Sequence, residues 1–230
     1  MSDERKTKAY RNVTGLVKGM VNFLCRIDSS QLSQVPDQGP LIIVINHINF
    51  LDVPALYTRL MPRRLTGFVK DKEWKNWFTR GILSQWGGIP LFPGEPNIEA
   101  FKTGLRMLAD GYILAVAPEG IRSEHGRLQR GEPGAALRAL RSRVSVRPVV
   151  MYKHERFWKN LRCFRRTDME FAVGKHFCID VGEKRINRKI RQQITDEIMF
   201  QMARLLPEHN RGIYSDLTTA TEDFLRFSPG

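Results

Sequence analysis

Cysteine, acidic residues and long apolar runs are all scarce in this chain. The 230 residues include three cysteines, Cys25, Cys163 and Cys178, far apart in sequence. They make no C-x-x-C pair and no even-numbered framework. That sets aside a disulfide-stapled scaffold and fits a reduced, cytosolic compartment. Each thiol is expected to act as a small buried or half-buried apolar group. No apolar run approaches the roughly 20 residues that a membrane-spanning helix needs. The opening Met1-Ser-Asp-Glu-Arg-Lys leads into no signal-like core, so a soluble or monotopic protein is expected. The histidines are few and dispersed, at 47, 125, 154, 176 and 209, and no H-E-x-x-H run occurs, so no metal is expected. Gly87-Gly88 fits neither the dinucleotide-binding nor the phosphate-loop glycine pattern. The absence of G-x-S-x-G disfavours a serine hydrolase. No internal repeat or low-complexity segment is present.

The shortage of acid leaves a strong imbalance. With 24 Asp and Glu against 37 Lys and Arg, the net charge is +13. A small soluble domain ordinarily carries about 2–8. The excess implies an anionic partner: nucleic acid, an acidic membrane surface, a phosphorylated cofactor or an acidic carrier protein. It is densest from Lys153 to Arg166, where Lys153, Arg156, Lys159, Arg162, Arg165 and Arg166 interleave with Phe157, Trp158 and Phe164. Aromatics spaced among cations can stack on bases. A non-enzymatic protein binding nucleic acid or anionic membranes through this patch is therefore one reading.

What the chain has in abundance is alternation of strand-like and helix-like segments. Leu41-Ile-Ile-Val-Ile45 is an unbroken apolar, β-branched run, expected as a strand buried on both faces. Leu65–Val69, Tyr112–Ala117, Val144–Met151 and Met169–Val173 are further strands, and Pro148 argues for an irregular or edge position for its strand. Helices are expected over Tyr10–Ile27, from Phe50 to Leu60, across Asp71–Trp86, from Ile98 to a stop at Gly111, over Ala135–Arg141 and over Asn187–Leu206. The pattern predicts an α/β fold: a single domain with a mixed, mostly parallel central sheet flanked by helices, plus an N-terminal amphipathic helix. The expected division is an amphipathic helix and connector at 1–35, the main domain at 36–215 and a patternless tail at 216–230. The first helix carries Val13, Leu16, Val17, Met20, Val21 and Leu24 among basic residues. Such a helix lies in a membrane interface or packs on its own domain.

Two polar clusters follow two buried strands. Asn46-His47 ends the first strand, with Asp52 five residues on; Pro118-Glu119-Gly120-Ile121-Arg122-Ser123 ends the strand at Tyr112–Ala117. Open α/β sheets place their chemistry where strands end. An imidazole takes a proton from a hydroxyl near neutral pH, and a carboxylate on its other nitrogen fixes the tautomer. Five helical steps would turn Asp52 away from His47, so the pair can meet only across a turn, which Asn46 and Asn49 permit. The alternative is a lone surface histidine near a helix-capping Asp. In the second cluster, Gly120 allows a tight turn and Arg122 presents a planar fork suited to phosphate. Glu119 is suited to accept hydrogen bonds from substrate hydroxyls or to orient Arg122; the alternative is a surface ion pair. Trp74, Trp77, Trp86 and Phe92 make an aromatic stretch, expected as core or, beside Lys and Arg, as a membrane interface or the wall of an acyl-chain groove.

Together these segments resemble the four blocks of the glycerolipid acyltransferase family, whose best-known members are the 1-acylglycerol-3-phosphate acyltransferases. His47 to Asp52 resembles the H-x4-D box. Gly87-Gly-Ile-Pro-Leu-Phe92 resembles the second block and Pro118–Ser123 the third, with Ile121 where Thr is usual. Val146-Arg-Pro-Val-Val150 resembles the fourth. The resemblance runs from about Pro40 to Phe177. It implies transfer of a fatty acyl group from acyl-CoA or acyl carrier protein to a hydroxyl of a lysolipid acceptor, most closely 1-acylglycerol-3-phosphate. No metal, bound cofactor or nucleic acid is needed. His47 would be the general base and Asp52 its orienter. Glu119, Gly120, Arg122 and Ser123 would bind the acceptor, with Arg122 on its phosphate. The protein would work at the cytoplasmic face of an anionic membrane as a peripheral or monotopic enzyme. One departure stands out. Leu91-Phe92-Pro93-Gly94 occupies the place where phosphate-acceptor members carry an Arg, which keeps a non-phosphate acceptor such as a glycolipid open.

Overall fold

Leu41–Ile45 (strand β2) has all five side chains buried, and the sheet grows outward from it. The computed structural model describes residues 8–92, 94, 97–123, 125–133 and 144–227. The other strands are β1 (Cys25–Asp28), β3 (Leu65–Lys70), β4 (Ile89–Leu91), β5 (Ile113–Val116), β6 (Val146–Tyr152), β7 (Thr167–Val173), β8 (Phe177–Ile179) and β9 (Leu225–Phe227). The order is β1-β7-β6-β2-β5-β3-β4, with β8 pairing β6 and β9. The pairings β2–β5, β2–β6, β3–β5, β3–β4 and β1–β7 are parallel; β6–β7, β6–β8 and β8–β9 are antiparallel. This is the mixed, mostly parallel sheet that the alternating pattern predicts.

Helices cover both faces. They are α1 (Lys8–Leu24), α2 (Asp52–Leu60), α3 (Asp71–Lys75), α4 (Trp77–Gln85), α5 (Ile98–Ala109), α6 (Phe157–Arg162) and α7 (Arg188–Leu205). Successive side chains of a strand point to opposite faces, and β2 shows why its run needs no polar residue. Ile42 and Val44 join a core with Leu108 of α5 and with Ile194, Ile198 and Met202 of α7. Leu41, Ile43 and Ile45 join a second core with Val17 and Val21 of α1 and with Leu56 and Leu60 of α2. A fully buried Ile or Leu side chain contributes about 1.5–3 kcal/mol, so five in a row set this strand at the centre.

Several expectations are corrected. The first helix stops at Leu24, and Cys25–Asp28 pairs with β7 as a strand. The segment Asp71–Trp86 is two helices, because Asn76 leaves the helical region and its side chain caps α4 by accepting from Phe78 N–H at 2.9 Å. Pro148 is not at an edge. Its strand lies between β2 and β7, and the outer partner changes from β8 at Val146 to β7 at Val149. Pro148 sits in that gap, where only its carbonyl is used, by Gly174 N–H at 2.9 Å. The tail is built into the fold: Phe224 and Leu225 are buried and β9 extends the sheet. Cys163 is exposed rather than buried, Cys178 is half-buried, and burial pushes the Cys25 thiol up to about 11. The helix expected at Ala135–Arg141 lies outside the described residues.

The apolar stripe of α1 is divided between two uses. Val17 and Val21 face the core, while Leu16, Met20 and Phe23 point outward. The helix is fastened at both ends: Trp86 Nε1 donates to Thr14 Oγ1 at 3.1 Å, and Arg166 donates to the carbonyls of Asn22 and Cys25, each at 2.6 Å.

Candidate active site

The carboxyl ends of β2, β3, β5 and β6 converge on one rim of the sheet, where open α/β folds hold ligands. After β2, the chain does not enter α2 at once. Ile48 N–H and Asn49 N–H turn back onto Asp52 Oδ2, at 2.6 and 2.9 Å, and Asn49 Oδ1 accepts from Leu51 N–H at 2.9 Å. This turn wraps the carboxylate and brings His47 Nδ1 to 2.7 Å from Asp52 Oδ2. Asp52 is fully buried; His47 remains partly open to solvent. Asn46 continues the ladder with its side chain: Nδ2 donates to Met151 O at 2.7 Å, and Oδ1 accepts from Met151 N–H at 2.8 Å. The end of β2 is thereby pinned to the end of β6.

The loop after β5 closes on the same histidine. Ser123 N–H donates to His47 O at 2.8 Å, and Arg122 Nε donates to His47 Nε2 at 3.2 Å. A carboxylate only accepts and a guanidinium only donates. The two contacts together require the proton on Nδ1 and a lone pair on Nε2. Arg122 Nη2 also pairs with Glu73 Oε1 of α3 at 3.0 Å. Gly120 takes φ +68°, the left-handed conformation this turn needs. Among the described residues, no group of three or more His, Cys, Asp or Glu has a metal-holding arrangement.

Residues 26–152, more than half of the chain, match the Acyltransferase family model. The chain belongs to the acyltransferase family. A 1-acyl-sn-glycerol-3-phosphate acyltransferase of Bacillus subtilis (strain 168) is 20% identical over 167 residues, 72% of this chain and 81% of its own length. A chloroplastic 1-acyl-sn-glycerol-3-phosphate acyltransferase of Arabidopsis thaliana is 28% identical over 55% of this chain and 36% of its own. The human 1-acyl-sn-glycerol-3-phosphate acyltransferase beta is 25% identical over 57% and 48%. This acyltransferase thus spans about a third to a half of the plant and human proteins. Its fold is similar to the 1-acyl-sn-glycerophosphate acyltransferase PlsC from Thermotoga maritima, with a TM-score of 0.60 at 17% identity, over 84% of this chain and 79% of that one.

Within this acyltransferase, Glu119 sits differently from its expected place. It is buried, and its two oxygens accept backbone N–H groups of His47, at 3.3 Å, and Gln129, at 2.9 Å. It does not pair with Arg122, whose carboxylate partner is Glu73. Glu119 holds the two loops together. Burial pushes its carboxyl up to about 7, against the two backbone donors that favour the charged form. Burial also works against the Asp52 charge, but hydrogen bonds from His154 and His47 outweigh it and hold Asp52 at about 2.

The four aromatics expected to wall an acyl groove do not gather. Trp86 is buried, stacked on Tyr57 with ring centroids 4.7 Å apart. Trp77 is 84% exposed. Trp74 lies behind Gly88. Only Phe92 lines the groove of about 1160 Å³ that runs between β4 and α5, past Gly88, Pro90, Ile98 and Met107 to Arg64 and Tyr112. None of His47, Asp52, Glu119 or Arg122 lines it.

Sequence reasoning missed Glu73 and His154. Glu73 follows β3 in a helix that resembles no motif. His154 gave a usable signal, because it lies two residues past the end of β6 and so on the same rim. Its Nε2 is 2.5 Å from Asp52 Oδ1.

The elevated Glu119 carboxyl has a consequence for stability. Between pH 4.5 and about 7 the folded protein keeps a proton that the unfolded chain has released, so stability falls as pH rises through that window. Glu119→Gln removes this slope. Urea titrations at about pH 5 and pH 8 should show the difference moving toward the variant by on the order of 1–3 kcal/mol; parallel profiles would contradict the assignment.

Proposed function

We propose that this chain transfers a fatty acyl group from a thioester donor, acyl-CoA or acyl carrier protein, to a hydroxyl of a lysoglycerolipid of the 1-acylglycerol-3-phosphate kind. The observation that carries the reading is the His47 tautomer. With Nδ1–H held by Asp52, the Nε2 lone pair faces the rim, where it can take the acceptor's hydroxyl proton. The acceptor oxygen attacks the thioester carbonyl, the tetrahedral intermediate expels the donor thiolate, and the His47 imidazolium returns the proton to that sulfur. A buried carboxylate stabilises the imidazolium while it exists. No covalent enzyme intermediate and no metal takes part.

Arg122 supports an anionic acceptor group and also sets a condition on it. Its guanidinium covers His47 Nε2 and rests on Glu73. A phosphate that draws Arg122 toward itself would uncover the base and anchor the acceptor in one movement. Gly120 and Ser123 shape the loop that carries Arg122. The groove from Phe92 along β4 is the space this reading gives to the donor's acyl chain.

A second reading keeps the chemistry and changes the acceptor. Glu73 already neutralises Arg122, and Leu91-Phe92 stands where phosphate-acceptor members carry an Arg. Both favour an acceptor without phosphate, such as a glycolipid.

The proposal extends to an anionic membrane surface at the cytoplasmic face. Among the described residues no helix is long and apolar enough to cross a membrane. Leu16, Met20 and Phe23 of α1 point outward, and Phe164 in the loop after α6 is fully exposed. Arg166 ties that loop to the end of α1, and Lys159, Arg162 and Arg165 beside it are exposed cations. Apolar side chains rimmed by cations fit an acidic lipid interface. A nucleic-acid partner is not needed to account for the charge.

Two experiments test these readings. With labelled acyl-CoA and a panel of lysophosphatidic acid, lysophospholipid and glycolipid acceptors, wild type should acylate one class, and His47→Ala should lower kcat by about 10²–10⁴-fold; activity surviving that change removes the mechanism. A phosphate acceptor additionally predicts that Glu73→Gln lowers its KM several-fold, whereas an indifferent KM favours the glycolipid reading. In sedimentation with vesicles, the protein should bind phosphatidylglycerol over phosphatidylcholine, and Phe23→Asp with Phe164→Asp should release it. Equal partition to both lipids, or binding unmoved by the two changes, would contradict the membrane assignment.

A further inference from the structure

The Asp52 carboxylate is shared between two imidazoles, and only one of them has a part in the reaction described above. Oδ2 takes three donors: His47 Nδ1 and the N–H groups of Ile48 and Asn49. Oδ1 faces the other way and meets His154 Nε2 at 2.5 Å. Both His154 and Asp52 have side chains at 0% exposure. A carboxylate this deep is costly to bury unless both oxygens are hydrogen-bonded.

The fold takes trouble to put that ring there. Lys153, between the end of β6 and His154, has φ +73°, a left-handed conformation that a non-glycine residue rarely adopts. It turns the chain inward at the strand end. The His154 carbonyl is then held from two sides, by Asn49 Nδ2 at 3.2 Å and by Phe157 N–H at 3.2 Å. Asn49 belongs to the turn that wraps Asp52, so the loop carrying the base and the loop carrying His154 are locked to each other. Asn46 adds the second lock, through Met151. His47, Asp52 and His154 thus form one hydrogen-bonded chain running from the rim into the core.

We propose that His154 is a positioning residue for the acyl transfer: by holding Oδ1 it fixes the rotation of the Asp52 carboxylate and so aims Oδ2, and with it the His47 ring, at the acceptor. The inference rests on His47 acting as the base. It also gives the fourth block a function at the site, since β6 delivers His154 to the carboxylate. His154 touches neither acceptor nor donor and acts only through Asp52. A carboxylate freed at Oδ1 can rotate about its Cβ–Cγ bond, and the imidazole that it orients follows. Misplacing a general base by a fraction of its hydrogen-bond length costs rate rather than substrate affinity.

The test compares His154→Leu, which removes the donor, with His154→Gln, whose side-chain amide places a donor near the position of Nε2. Each is made alone and in an Asp52→Ala background, and thermal melts are recorded beside the kinetics. His154→Leu should lower kcat by about 10–100-fold, which corresponds to about 1.4–2.7 kcal/mol of barrier, with both KM values within about twofold. His154→Gln should recover most of that loss. In the Asp52→Ala background, His154→Leu should cost nothing further, because its only route to the reaction is already cut. Should His154→Leu fail to fold, His154→Gln against His154→Asn, whose amide is too short to reach Oδ1, carries the same comparison. Unchanged kcat in a folded donor-less variant, a rise in KM in place of a fall in kcat, or an undiminished effect in the Asp52→Ala background would each overturn the inference. A dead His47→Ala enzyme beside an unaffected His154→Leu enzyme would overturn it while leaving the base in place. An active His47→Ala enzyme would remove both.

Discussion

One fully buried carboxylate, hydrogen-bonded at both oxygens, is the constraint from which the rest of this site follows. Asp52 is fully enclosed and ionised, its carboxyl held near 2 by hydrogen bonds from His154 and His47 in spite of burial. Charge at that depth has to be met on every side. The turn from His47 to Leu51 supplies two backbone N–H groups and one imidazole, and the chain leaving β6 supplies the other. Three of those donors come from the turn after β2 and the fourth from the chain leaving β6, while the carboxylate itself opens α2, so satisfying one side chain fixes the relative placement of β2, α2 and β6. What solvates the carboxylate also builds the site.

The second loop is held by the same logic, a buried carboxylate accepting N–H donors. Glu119 is buried under His47 and Gln129, and its position is set by backbone donors rather than by a cation. Arg122 therefore bridges His47 and Glu73, both at the rim and both partly open. A lower layer of buried, hydrogen-bonded acids thus lies beneath the half-exposed Arg122 guanidinium. That division suits a transferase, which must hold its base still and yet admit a lipid headgroup. The imbalance of cations over acids suits an anionic partner of whatever kind.

Much of this was legible in the sequence, for identifiable reasons. The Leu41–Ile45 run could be nothing but a strand covered on both faces, and the two polar clusters follow strands that turn out to be neighbours, so their meeting was implied by the order of elements. The requirement that a turn hold His47 followed from helix geometry alone. What could not be read were contacts decided by tertiary pairing. Cys25–Asp28 is a strand only because β7 lies beside it. Pro148 reads as an irregular or edge position, and only the tertiary pairing shows it to be the irregular one, where the outer partner changes and no donor is needed. Trp86 belongs to the α1–α2 core because Tyr57 offers it a stacking face, which no local pattern announces. Nothing in the sequence around Glu119 announces that two backbone N–H groups from distant segments make its burial tolerable. His154 was dismissed with the dispersed histidines, although its position just past a strand that ends on the rim was available to notice.

The account turns on whether one ionised Asp52 holds two imidazoles. Proton NMR of the protein with ¹⁵N-labelled histidine, recorded near neutral pH, measures this directly. Two ring N–H protons should appear far downfield and exchange slowly with water, one on Nδ1 of His47 and one on Nε2 of His154, and both should vanish in Asp52→Ala. Fast-exchanging ring protons at ordinary shifts, or a spectrum that Asp52→Ala leaves unchanged, would contradict it.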